Sequence, residues 1–136
     1  MFANCSMPGV DFAMPDVCLT PIPSPVGPIP TPIPYPNLTV RAMALPPSAS
    51  MKHLVMFMPS HHMGTSVPMS MGDNVGAIGG VASGMMMGPA RNLRCSTKII
   101  TGGMPATRWL DNTLQNSTNA PGMTLVPGQF KLLYLT

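Results

Sequence analysis

From Pro21 to Pro36 the chain reads PIPSPVGPIPTPIPYP, with prolines at 21, 23, 25, 28, 30, 32, 34 and 36. Proline has no N–H and a fixed φ, so this stretch excludes a helix or a central β-strand. An extended, polyproline II-like ribbon is the expected shape. The residues between the prolines include Ile22, Val26, Ile29, Ile33 and Tyr35, which prefer cover, and no Lys or Arg flanks them. The ribbon is therefore expected to pack over its own domain rather than act as an SH3-type ligand. Pro and Gly together supply 31 of 136 residues, just short of a composition that implies disorder. Disorder also requires low hydrophobicity and high net charge. Here 45% of residues are hydrophobic and the formal net charge is +3.

Only 8% of residues are charged and glutamate is absent, so extended solvated helices are not expected. A compact, turn-rich β domain that hides much of its surface against something is the reading that remains. One domain spans 1–136: an irregular, Pro-rich wrap over 1–36 and a repeated β body over 37–136. Strands are expected at 37–45, 51–58 and 96–104, with a last one near the C-terminus. Residues 64–88 form a long Gly- and Met-rich loop, of a length that is usually functional. Within it VGAI and GVAS are candidate short strands, and Met85, Met86 and Met87 read as core packing rather than copper ligands. Residues 111–123 read as a polar loop.

An internal repeat organises the body. Lys52 to His62, KHLVMFMPSHH, aligns without gaps on Lys98 to Arg108, KIITGGMPATR. Each copy has a lysine, an apolar strand, Met-Pro, a small residue and a polar pair. FKLLYLT, containing Lys131, repeats the strand opening a third time. Isolated strand-turn units cannot bury an apolar face, so the copies must pack together. Three such units suggest a pseudo-threefold body suited to a symmetric trimer. Met58-Pro59-Ser60-His61 and its counterpart at Met104-Pro105 are read as the shared turn.

Gly103-Met104-Pro105-Ala106-Thr107-Arg108 resembles the Pro-Ala-Ala-Arg signature of the PAAR family, with Thr107 in place of the second alanine. The segments FANC, DFAMPDVCLTP, PIPYPN, MPSHHMGT, PMSMGD, GGVASGMMMGPAR and LVPGQFKLLYL follow in order the pattern of its PAAR-like branch. The resemblance implies a small β cone that caps and sharpens the trimeric, valine-glycine-repeat spike of a bacterial contractile injection system such as type VI secretion, and helps load an effector. It implies a bacterial cytoplasmic location before firing, then delivery at the spike tip with transient contact with the target membrane. No toxin domain is expected after Thr136.

Many ordinary PAAR proteins hold zinc with three histidines and a cysteine in loops that correspond to 65–80 and 111–122. Those loops contain neither residue here. Among the remaining donors, His61 with Cys18 or Cys95 is the set that would take zinc. Neighbouring side chains on an extended chain point to opposite faces. His61 and His62 are therefore expected to be one packed and one exposed, in a chain purified without metal. Cys5, Cys18 and Cys95 have no framework or CxxC spacing. No signal peptide is expected from the residues at the start, and no apolar run of membrane-spanning length occurs in the sequence. Arg91, Arg94 and Lys98 are the local basic cluster, read as a solvated strand edge, and with few aromatics no nucleic-acid partner is expected. Asp11, Asp16, Asp73 and Asp111 are scattered and read as turn residues, with no catalytic motif, so no enzyme is expected. Two other readings stay open on residues alone: a small zinc- or copper-binding protein, and a Pro-rich adaptor presenting 21–36.

Overall fold

A computed structural model describes all 136 residues. Its elements are β1 (Val10–Ile22), β2 (Ile29–Val40), β3 (Ser50–Val55), β4 (Met58–Ser60), β5 (Ser66–Val67), β6 (Gly79–Gly80), β7 (Ala90–Asn92), β8 (Ile100–Thr101), β9 (Met104–Pro105), β10 (Asn112–Gln115) and β11 (Ala120–Val126), with only two short 3-10 turns. The main sheet is antiparallel in the order β2-β1-β11-β10-β7-β5, and β6 adds to β1. β3-β4 and β8-β9 are separate hairpins. No helix is long and apolar enough to cross a membrane.

The N-terminal third departs from the expected irregular wrap. Residues 10–40 form a long β1-β2 hairpin, with Leu19 opposite Pro32, Val17 opposite Pro34 and Asp11 opposite Thr39. Pro30, Pro32, Pro34 and Pro36 share one parity along β2, so every missing N–H falls on the same side of the strand. β2 is the edge of the sheet, where that loss is tolerated and where prolines discourage further pairing. The proline pattern thus specifies an edge strand, not a polyproline ribbon. The other polar loop is also paired: 111–123 contributes β10 and most of β11, with Thr113 opposite Gly122. Residues 41–45 leave the strand in a 3-10 turn. The C-terminal segment forms no strand, only a bridge between Leu133 and Phe2.

The 46-residue repeat is a pair of two-residue hairpins. Val55 pairs with Met58 and Thr101 with Met104. The turn residues are Met56 and Phe57 (φ 51° and 65°) in one copy and Gly102 and Gly103 (φ 62° and 85°) in the other. The turn therefore precedes Met-Pro, which opens the return strand. The copies meet beyond that point, where His62 bridges Ala106. The N-terminal segment runs along both, bridging Cys5 to Ser60 and Ala3 to Arg108.

The interior is polar. Buried positions include 24 polar or charged residues against 12 apolar ones, most of the latter alanine or cysteine, while 29 large hydrophobics are exposed. β1 shows how this arises. Asp11 and Ala13 face inward; a bulge between Ala13 and Asp16 then shifts the register by one residue. Such a bulge re-aims the following side chains, and Asp16, Cys18 and Thr20 face inward instead. Met85 and Met86 are exposed rather than packed in a core. Phe57 is 94% exposed in a left-handed conformation that disfavours any side chain with a Cβ. Replacing Phe57 with Gly is expected to raise stability by about 1 kcal/mol, the strain released at that position, read as a higher urea midpoint.

Candidate functional site

Two buried polar clusters occupy the interior. The first centres on Arg41, which follows β2 and is 1% exposed. Its Nε donates to Asp11 Oδ1 at 2.8 Å, and its Nη2 donates to Thr124 Oγ1 at 2.6 Å and Asn92 Oδ1 at 3.2 Å. Its Nη1 lies 3.1 Å from His61 Nδ1. A guanidinium only donates, so Nδ1 accepts and the His61 proton sits on Nε2, which faces Ser6 Oγ at 3.0 Å. Burial first, then the charges of Arg41 and His62, push the His61 pKa down to about 2. His61 is therefore a neutral acceptor locked between two partners.

The second cluster lies where the Gly-rich loop crosses β1. Asp16 and Cys18 share a face of β1, two residues apart. Asp73 comes from the loop, and one ligand-type atom from each of the three lies within 4.8 Å of the others. All three side chains are buried. Cys18 Sγ is 3.4 Å from Asp16 Oδ1 and 3.5 Å from Asp73 Oδ2. Asn116 Nδ2 donates to Asp73 Oδ2 at 2.8 Å and Asp16 Oδ1 at 3.2 Å, while Asn37 and Asn119 also donate to Asp16. Burial, then the neighbouring Asp16 and Asp73, push the Cys18 thiol up to about 12. Gly76 lets the loop approach: a Cβ there would lie 2.3 Å from Cys18 Cβ.

The expected donors do not converge. His61 has both ring nitrogens engaged by Arg41 and Ser6, and Cys95 Sγ faces Met63 Sδ at 3.8 Å. Cys18 sits with carboxylates. The three-histidine, one-cysteine zinc set of ordinary PAAR proteins therefore does not fit these residues. His62 is buried as well as His61, against the expectation of one exposed ring, and its Nδ1 accepts from the Gly64 N–H at 3.1 Å. In the motif turn, Gly103 sits in the hairpin turn, Met104 and Pro105 form β9, and Ala106 and Thr107 are fully buried. Arg108 pairs with Asp111 at 3.1 Å. In the other copy Met58, Pro59 and Ser60 form β4 and Ser60 is buried.

Asp111 is a turn residue as expected, accepting from the Arg108 N–H at 2.8 Å. Asp11 and Asp16 lie on β1 rather than in turns. Asp73 does open a turn, its carbonyl accepting from the Gly76 N–H at 2.9 Å, but its carboxylate is buried against Cys18 and Asn116. The signal for one of these sites was the Asp-x-Cys spacing, since positions i and i+2 on a strand share a face. Nothing local marks Asp73, Asn116 or Asn119, which arrive through tertiary pairing.

A small antiparallel β body with a polar interior and repeated hairpins defines the structural class. A family model described as "Toxin PAAR-like domain" matches residues 9–122, and the chain belongs to that family. Comparisons with curated proteins and with solved structures found no match.

The His61 pKa gives a signed prediction. It is lower in the folded state than its ordinary 6.5, so the unfolded chain takes up the proton first. The contribution is fully present above pH 6.5 and is lost as pH falls from there toward the folded value. Urea denaturation is expected to show stability falling below pH 6.5 by up to about 1.4 kcal/mol per pH unit for this group. A His61→Gln variant is expected to show a shallower slope.

Proposed function

We propose that this protein is a structural spike-tip module: it caps the trimeric spike of a bacterial contractile injection system and helps load an effector. It would lie in the bacterial cytoplasm before firing and leave the cell on the spike, meeting the target membrane briefly. Family membership supports the reading. The observation that carries it is the inverted distribution of side chains, with polar groups filling the interior and 29 large hydrophobics left exposed. Exposed hydrophobics of this size, where they gather, mark interaction surfaces. Such a surface is reasonable where a permanent partner covers it.

Phe57 sharpens the point. Its repeat counterpart is Gly103, the residue type suited to that turn, yet the first copy holds an exposed phenylalanine in a strained conformation. Strain of this kind persists where function favours it. Ile100, 70% exposed beside the second turn, adds apolar surface on the other hairpin. Co-expression with the trimeric spike protein from the same gene neighbourhood is expected to give a stable complex with one chain per trimer. The Phe57→Asp, Ile100→Asp pair is expected to weaken it about ten- to a hundredfold, the range of interface anchors, while the isolated fold is kept. Absence of any complex with the unaltered chain would overturn the proposal.

A further inference from the structure

We propose that Asp16, Cys18 and Asp73 form a binding site for a divalent transition-metal ion of the zinc class. The proposal is independent of the spike-tip reading, and it replaces the expectation of a metal-free chain. It also differs in every histidine from the ordinary PAAR zinc set.

Charge is the first argument. The chain's two ion pairs use Asp11 with Arg41 and Asp111 with Arg108. Asp16 and Asp73 are fully buried and make no ion pair. Two buried carboxylates without a cation are costly to keep charged. Geometry is the second. A thiol has one proton, which serves only one of the two carboxylate oxygens that Cys18 Sγ faces at 3.4 and 3.5 Å. Both distances match the sulfur-to-oxygen edge of a tetrahedral zinc site, about 3.5 Å from ordinary zinc–sulfur and zinc–oxygen lengths.

An orphan acceptor adds to both. Asp73 Oδ1 is buried and has no hydrogen-bond partner, so the carboxylate whose Oδ2 faces Cys18 keeps a second oxygen that no protein donor satisfies. The surrounding amides are fixed in the complementary sense. Asn116 Oδ1 accepts from the Gly88 N–H and Asn119 Oδ1 from the Ala82 N–H, both at 2.9 Å. Their nitrogens must then face inward and donate to the carboxylates, as supporting residues around a metal do. The sulfur donor selects a zinc-class ion over magnesium or calcium. On binding, the Cys18 S–H proton leaves to solvent and the thiolate takes its place beside the ion.

A Cys5→Ser, Cys95→Ser chain keeps Cys18 as its sole thiol. Stripped with a chelator and titrated with Co²⁺, it is expected to develop a thiolate-to-cobalt charge-transfer absorption that saturates at one equivalent and is abolished by Zn²⁺. Adding Asp73→Asn, with native circular dichroism confirmed, is expected to weaken Co²⁺ binding at least tenfold. The unaltered chain must show the same band, and Cys18→Ser must remove it, so poor folding of the double variant does not end the test. No band in the unaltered folded chain, or a band that survives either Cys18→Ser or Asp73→Asn unchanged, overturns the proposal.

Discussion

Arg41 places a guanidinium in the middle of the molecule, 1% exposed. Its guanidinium reaches β1 through Asp11, β7 through Asn92, β11 through Thr124 and the first hairpin copy through His61. Its backbone N–H also donates to Gly9 O at 2.9 Å. A buried charge of this kind is tolerated only when its hydrogen bonds are met. The register of four elements must therefore be right at the same time. The neutral tautomer of His61 and the position of Ser6 follow from the same requirement. Apolar packing does little of this work: the two apolar clusters contain three buried residues each, mostly alanines.

The polar interior and the apolar exterior are two consequences of one arrangement. The bulge in β1 re-aims its side chains and Gly76 lets the loop close on Cys18, and the interior they enclose is filled mainly by polar side chains, from Arg41, His61, Gln115 and Gln129 down to Asn, Thr and Asp. Large apolar residues are left outward on the same strands, as with Met123, Leu125 and Val126 around the inward Thr124 on β11. The edge prolines of β2 then have a second use: they leave the sheet with a side that resists uncontrolled pairing.

The β class, the family and the 46-residue repeat were legible in the sequence, because each rests on local order: proline and glycine spacing, the missing glutamate, the motif sequence. The 1–36 segment was misread because a proline at every second position was judged by what it forbids rather than by its parity. The Met-Pro turn was placed two residues late, since nothing in Met56-Phe57 signals a left-handed turn and only the Gly102-Gly103 copy does. The interior was missed for a more general reason. Hydrophobic residues were assigned to the core by the usual rule, and here the register shift at Asp16 and the approach of Asp73 and Asn116 from distant segments decide what is buried. Asp16 is within reach of a local pattern, since the Asp of Asp-x-Cys on a strand shares a face with Cys18, but Asp73, Asn116 and Asn119 come from pairings that no local pattern encodes.

A polar network, not an apolar core, holds this fold. Scanning calorimetry tests it directly through the heat-capacity change of unfolding, because exposing apolar surface raises that quantity and exposing polar surface lowers it. The value expected for the isolated chain is clearly below the usual ~12–15 cal/mol/K per residue. A value at or above that range would show that unfolding exposes an ordinary apolar core, and would contradict a fold held by polar groups.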